Sequence, residues 1–157
     1  MRQDSTRYVT LVRPRWSDMD AFGHVNHASL VTLLEEARVP LLFGDGTGGT
    51  GGTGTAPPGG LADFAKGIVV VRLRVDYRAP IVVDGSAVRV EIALADLRHA
   101  SFTLDYRVRG GSAAHDPLAA TAATVLAPYD LDRGRPRRLT VAERALLTEH
   151  VPSGGQA

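Results

Sequence analysis

ASLVTLLEEARVPLLF, residues 28–43, keeps the helical period. Leu30, Leu33, Leu34, Ala37 and Leu41 fall on one face, and Ser29, Thr32, Glu35 and Glu36 on another. Val31, Val39, Leu42 and Phe43 spread the apolar surface well past the usual stripe, so the spacing predicts a helix that other structure largely encloses. Pro40 is expected to kink it or to end its regular part.

The chain on either side reads with a period of two. Upstream, YVTLVRPRW (8–16) is a strand in which Pro14 marks an edge or an end. Downstream, IVVVRLRVDYR (68–78) sets Val69, Val71, Leu73, Val75 and Tyr77 against Arg72, Arg74, Asp76 and Arg78. AVRVEIAL (87–94) sets Val88, Val90, Ile92 and Leu94 against Arg89 and Glu91. SFTLDYRVR (101–109) sets Phe102, Leu104, Tyr106 and Val108 against Thr103, Asp105, Arg107 and Arg109. LAATAATVLAP (118–128) is a blander fifth strand. Turn signals at Asp84-Gly85 and Gly110-Gly111 keep the connections short, which implies antiparallel neighbours. One long apolar helix therefore has one sheet to bury it. The economical α+β packing is a five-stranded antiparallel sheet curved around a central helix, the shape called a hotdog fold.

Residues 1–130 are expected to form that unit. Within it GDGTGGTGGTGTAPPGG (44–60) is too rich in glycine to offset its ordering entropy by burial, so it reads as a flexible loop. The phosphate-binding-loop pattern, in which a lysine and then a hydroxyl residue close the glycine run, is absent from it. Residues 131–157 hold the arginine-rich turn DRGRPRR, a short helix from Thr140 to His150 with Thr140 and Glu143 spaced as a capping box, and a tail.

Composition narrows the function. At 157 residues the chain fits one domain. A net charge of +1 gives no electrostatic case for nucleic acid or a membrane surface. The absence of cysteine removes disulfides, thiolate ligands and a cysteine nucleophile, and is compatible with a reducing cytoplasm. MRQDSTRYVT lacks the apolar core of a signal peptide, and no apolar run approaches the ~18 residues that span a bilayer. The expectation is a cytoplasmic protein.

Chemistry gathers just ahead of the helix, in WSDMDAFGHVNH (16–27). Asn26 is placed as N-cap, and the N–H groups of His27, Ala28 and Ser29 lie at the positive end of the helix dipole. Asp18 and Asp20 are close enough for the loop to fold a carboxylate back over that end. A base or nucleophile beside preformed donors suits attack on a carbonyl, which is acyl transfer. Two other readings stay open on the residues alone. His24 and His27 with the two aspartates supply metal-type ligands, though without the helical HExxH spacing or a distant motif to complete a set. A solvated, capped turn explains Asp, Asn and Gly23 without any chemistry.

DMDAFGHVNHASLVTLLEEAR (18–38) resembles the signature of the 4-hydroxybenzoyl-CoA thioesterase branch of hotdog acyl-CoA thioesterases, and the resemblance continues through RLRVDYRAP (72–80) and LRHASFTLDYRV (97–108). It implies hydrolysis of an acyl-CoA thioester without metal or redox cofactor, coenzyme A entering as part of the substrate. The family's catalytic aspartate falls on Asp20, as base or nucleophile, and its carbonyl-polarising N–H on His27. Asp18 becomes a supporting carboxylate, His24 positions Asp20 or the leaving thiolate, and Gly23 and Asn26 shape the approach of the acyl group.

The same loop is similar to the catalytic segment of plant acyl-ACP thioesterases. Phe22 stands there at an asparagine position, so a three-residue mechanism does not carry over. Another thioesterase branch uses a glutamate of the central helix, for which Glu35 or Glu36 could serve. Arg98, His99 and Ser101 lie where the family places contacts to coenzyme A phosphates, with Arg72, Arg74 and Arg78 as a second basic stripe on the outer sheet face. The resemblance also implies a homodimer or homotetramer joined edge to edge, with each site drawing on two subunits. Two rival functions remain: a hotdog hydratase or dehydratase acting on enoyl or 3-hydroxyacyl thioesters, and a non-catalytic acyl-CoA-binding hotdog protein.

Overall fold

In the computed structural model, which describes residues 7–43, 64 and 67–154, the apolar stretch forms α1, His27–Phe43. Leu30, Leu33, Leu34, Ala37, Leu41 and Leu42 are its buried face. The helix runs through Pro40 instead of ending there. Leu41 and Leu42 are buried just beyond it. Two leucines contributing about 1.5–3 kcal/mol each offset a proline cost of about 3 kcal/mol. The enclosure is incomplete, since Val39 is 41% exposed. The expected loop 44–60 lies outside the described residues.

The predicted strands appear as β1 (Tyr8–Val12), β2 (Ile68–Tyr77), β3 (Val88–Leu97), β4 (Phe102–Arg109) and β5 (Leu118–Asp130). They form one antiparallel sheet in the order β1-β3-β4-β5-β2, and the two-residue β6 (Arg135–Pro136) pairs with β5. The chain leaves one edge strand, β1, passes through α1, and returns as the opposite edge, β2. The central helix therefore joins the two edges. Tyr8, Ile92, Tyr106, Ala122 and Val75 stand opposite one another in register, a single inner-face row across all five strands.

β2 departs from the expected alternation. Val69, Val71, Leu73 and Tyr77 are all exposed, Val71 by 62%. There are two causes. A register shift between Val70 and Arg72 reverses the alternation, so that Val70, opposite Leu126, faces inward in place of Val69 and Val71. In addition α1 packs over β1 and β3, at the far side of the sheet from β2. Of the inward residues of β2, Ile68 and Val75 pack against the core cluster, while Val70 and Leu73 remain exposed.

The C-terminal segment is tied to the same core. Helix α2 (Val141–His150) begins with the predicted capping box, Thr140 Oγ1 accepting from Glu143 N at 3.1 Å and Glu143 Oε2 accepting from Thr140 N at 3.0 Å. Leu139, Leu147 and Val151 join the central cluster. Leu94 N donates to Pro152 O at 2.8 Å and Gly154 N to Leu94 O at 2.9 Å, extending the sheet beside β3. Among the described residues no helix is long and apolar enough to cross a membrane.

Candidate active site

The loop before α1 is built on Asp18. A single 3-10 turn at Trp16–Asp18 turns this carboxylate inward, where it accepts from Arg15 N at 2.7 Å and Arg15 Nε at 3.1 Å. The side chain of Ser29, on the first turn of α1, also bonds it. Asn26 N donates to Asp18 O at 2.7 Å, so loop and helix start share one anchor. Gly23 then makes the tight turn at φ +81°, a conformation that favours glycine. Val25 N donates to Ile81 O at 2.8 Å and Val83 N to Gly23 O at 3.0 Å, clamping the loop to the β2–β3 connection.

This folding sets the state of Asp20. Its Oδ1 accepts from His24 N at 3.1 Å and Phe22 N at 2.8 Å. The His24 amide, more than the Phe22 amide, holds the Asp20 carboxyl below the usual carboxylate range, and it is ionised at neutral pH. At the helix start Asn26 caps as predicted, Oδ1 accepting from Ala28 N at 2.8 Å. Leu30 N donates to Asn26 O at 3.0 Å, which fixes the peptide joining Asn26 to His27. The N–H of that peptide points opposite to its C=O, outward from the helix. Neither His27 N–H nor Ser29 N–H has a hydrogen-bond partner among the described residues.

These groups meet in a cleft of about 380 Å³. The loop supplies Asp20, His24 and Val25, and α1 supplies His27 and Leu30. The opposite wall is residues 77–81 with Ala119 of β5. That wall holds what the sequence reading missed. Tyr77, expected on one strand face with Val69, Val71, Leu73 and Val75, donates its hydroxyl to His27 O at 2.7 Å. Arg78, expected beside Arg72 and Arg74 on the outer face, lines the cleft instead, because the chain turns as Arg78 N and Ala79 N both donate to Ala119 O. Pro80 signalled only that the strand ends here, not which loop it would meet.

The remaining candidates fall elsewhere. Gly23 and Asn26 shape the loop without lining the cleft. Glu36 is turned toward Arg15, its Oε1 lying 3.0 Å from the guanidinium, and does not reach the cleft. Arg98 and Ser101 line a second cleft of about 400 Å³ with Arg72, Arg74 and Asp96. Arg98 pairs there with Asp96 at 2.7 Å. Among the described residues no group of three or more His, Asp or Glu side chains is gathered to hold a metal ion.

One antiparallel sheet packed with a central helix, and a cleft lined by the Asp20 carboxylate and the helix-start residue His27, place a charged group beside amide donors. The profile of the thioesterase-like superfamily matches residues 14–149, and the chain belongs to that superfamily as a thioester hydrolase. Among solved structures, a thioesterase from Thermus thermophilus complexed with coenzyme A and zinc is 26% identical, with a TM-score of 0.65 over 89% of this chain and 96% of that one. A predicted thioesterase from Bacillus stearothermophilus is 23% identical, with a TM-score of 0.70 over 94% and 98%. A 1,4-dihydroxy-2-naphthoyl-CoA thioesterase from Synechocystis is 16% identical, with a TM-score of 0.69 over 90% and 96%. The last two show a shared fold. No curated protein sequence matches the chain.

Proposed function

We propose that the protein hydrolyses an acyl-CoA thioester to the free acid and coenzyme A. One observation carries this reading: the Asp20 carboxylate and the unpartnered His27 N–H line the same cleft. The thioester carbonyl oxygen accepts the His27 N–H at the positive end of α1, where developing negative charge is stabilised. Losing one such donor typically costs about 3–4 kcal/mol of transition-state stabilisation. Asp20 either takes a proton from water as that water attacks the carbonyl carbon, or attacks it directly to form an anhydride that water then opens. In both routes the C–S bond breaks, the sulfur leaves as thiolate and gains a proton, and the acid is released. His24 positions Asp20 or meets the departing sulfur.

Coenzyme A supplies phosphates that need cations. The second cleft, with Arg72, Arg74, Arg98 and Ser101, is our candidate for them. β2 supports assembly as a homodimer or homotetramer, because it is an edge strand of ten residues with Val69, Val70, Val71 and Leu73 exposed. Pairing two such edges would place Tyr77 and the cleft wall beside the second copy. The cysteine-free chain and its coenzyme A substrate fit a cytoplasmic setting.

A thiol-release assay with aliphatic and aromatic acyl-CoAs tests the proposal. Asp20→Asn is expected to lower hydrolysis by about two orders of magnitude or more with the fold intact. Full activity in that variant would remove Asp20 from the mechanism. Loss of an enoyl chromophore without thiol release would instead point to a hydratase, and tight binding without turnover to an acyl-CoA-binding protein.

A further inference from the structure

We infer that Tyr77 is a positioning residue, holding the first turn of α1 at a fixed distance from the opposite wall of the cleft. The inference rests on the thioesterase reading for what the held amide does, but the holding itself stands on geometry. Fifty residues separate Tyr77 from His27, yet the phenolic O–H donates to the His27 carbonyl at 2.7 Å, and both residues line the cleft.

The bond acts on a defined peptide unit. The peptide joining His27 to Ala28 is held at its oxygen by Tyr77 and at its N–H by Asn26 Oδ1, 2.8 Å away. The preceding peptide, which carries the His27 N–H, is held at its oxygen by Leu30 N. Two successive peptide planes at the helix start are therefore held, and to the second of them along the chain Tyr77 adds a bond that comes from across the cleft. Among the described residues, Tyr77 is the side chain beyond the loop and α1 that bonds this turn. The loop is already clamped to the opposite wall by Val25 N on Ile81 O and Val83 N on Gly23 O, and Tyr77 adds a bond across the cleft on the helix turn itself, the turn that carries the amide donor.

The location on β2 matters as well. Tyr77 is the last residue of the edge strand β2, and the residue is more than half exposed. A solvent-exposed phenol that makes one hydrogen bond adds little to global stability. Its value is in where it holds the amide. Small misplacements of a donor are costly to a reaction whose barrier depends on preorganised geometry.

Tyr77→Phe removes only the hydroxyl and keeps the ring. Two readouts decide the matter. In the acyl-CoA thiol-release assay kcat should fall about tenfold with KM nearly unchanged, the sign of an interaction spent in the transition state. By NMR on the free protein, amide exchange at Ala28 should quicken about tenfold, while amides of β3 and β4 and the unfolding midpoint in urea stay as in the wild type. Wild-type kcat together with unchanged exchange at Ala28 would overturn the inference. A uniform rise in exchange with a lowered unfolding midpoint would also overturn it, since that is a merely structural role. If the wild-type protein released no thiol from any acyl-CoA, the function proposed above would fail, and the Ala28 exchange rate would still decide for or against Tyr77.

Discussion

Asp18 and Asp20 stand two apart in one loop, and their surroundings give them different work. Asp20 keeps one oxygen on the loop amides and faces the cleft. Asp18 is buried against Arg15. Burial, the largest influence, pushes the Asp18 carboxyl up, but the hydrogen bonds and charge of Arg15 together outweigh it and leave the carboxyl below its ordinary range. A carboxyl depressed in the folded state adds stability above its unfolded value of about 3.9 and loses it as pH falls through the lower folded value. Asp18→Ala should therefore destabilise by about 2 kcal/mol near neutral pH. In urea unfolding, the gap between variant and wild type should narrow as the pH drops below about 4. A gap that stays constant down to about pH 3 would mean that the charge of Asp18 is not what it contributes. Nothing in DMDAFGHVNH distinguishes the two aspartates by pattern alone. The resemblance separated them, and the inward turn at residues 16–18 is the physical cause.

α1 was legible as an element because a run of leucines at helical spacing states both the helix and its buried face. Leu34, 1% exposed, packs among the core residues of the sheet. Leu34→Ala is expected to cost about 3 kcal/mol, since it leaves a cavity the sheet cannot close. Val39→Ala, on the exposed side, should cost less than about 1 kcal/mol. Equal losses in thermal or urea unfolding would mean that the helix is buried on both sides after all. The extent of the helix was less legible. Whether Pro40 ends it depends on how well Leu41 and Leu42 are buried, and a sequence window does not contain the surface that buries them. β2 failed for a similar reason. Its alternation is broken by one extra residue at Val71, and that bulge exists only in the pairing with β5.

At the scale of the molecule, the sheet ends in β2, which among the described residues pairs on one side only and leaves Val70 and Leu73 exposed. Val70, 49% exposed on β2, and Leu11, also 49% exposed on the other edge strand, β1, make a controlled pair. If the proposed oligomer joins through β2, Val70→Lys should give monomer in sedimentation velocity and lower thiol release with it, while Leu11→Lys should leave the assembly as it was. Dissociation by both substitutions, or by neither, would remove β2 as the joining edge. What the sequence by itself determined was the two helices and five main strands, the inner faces of β3 and β4, both helix caps and the loop proposed to carry the chemistry. These follow from local periodicity and from capping chemistry, which act over a few residues. Tertiary structure alone decided that Tyr77 and Arg78 face the cleft, that Glu36 is turned toward Arg15, and that Arg98 and Ser101 belong to a separate cleft. Each of those outcomes depends on which strand becomes an edge and which loop it meets, and contacts across fifty residues leave no mark at periods of two or four.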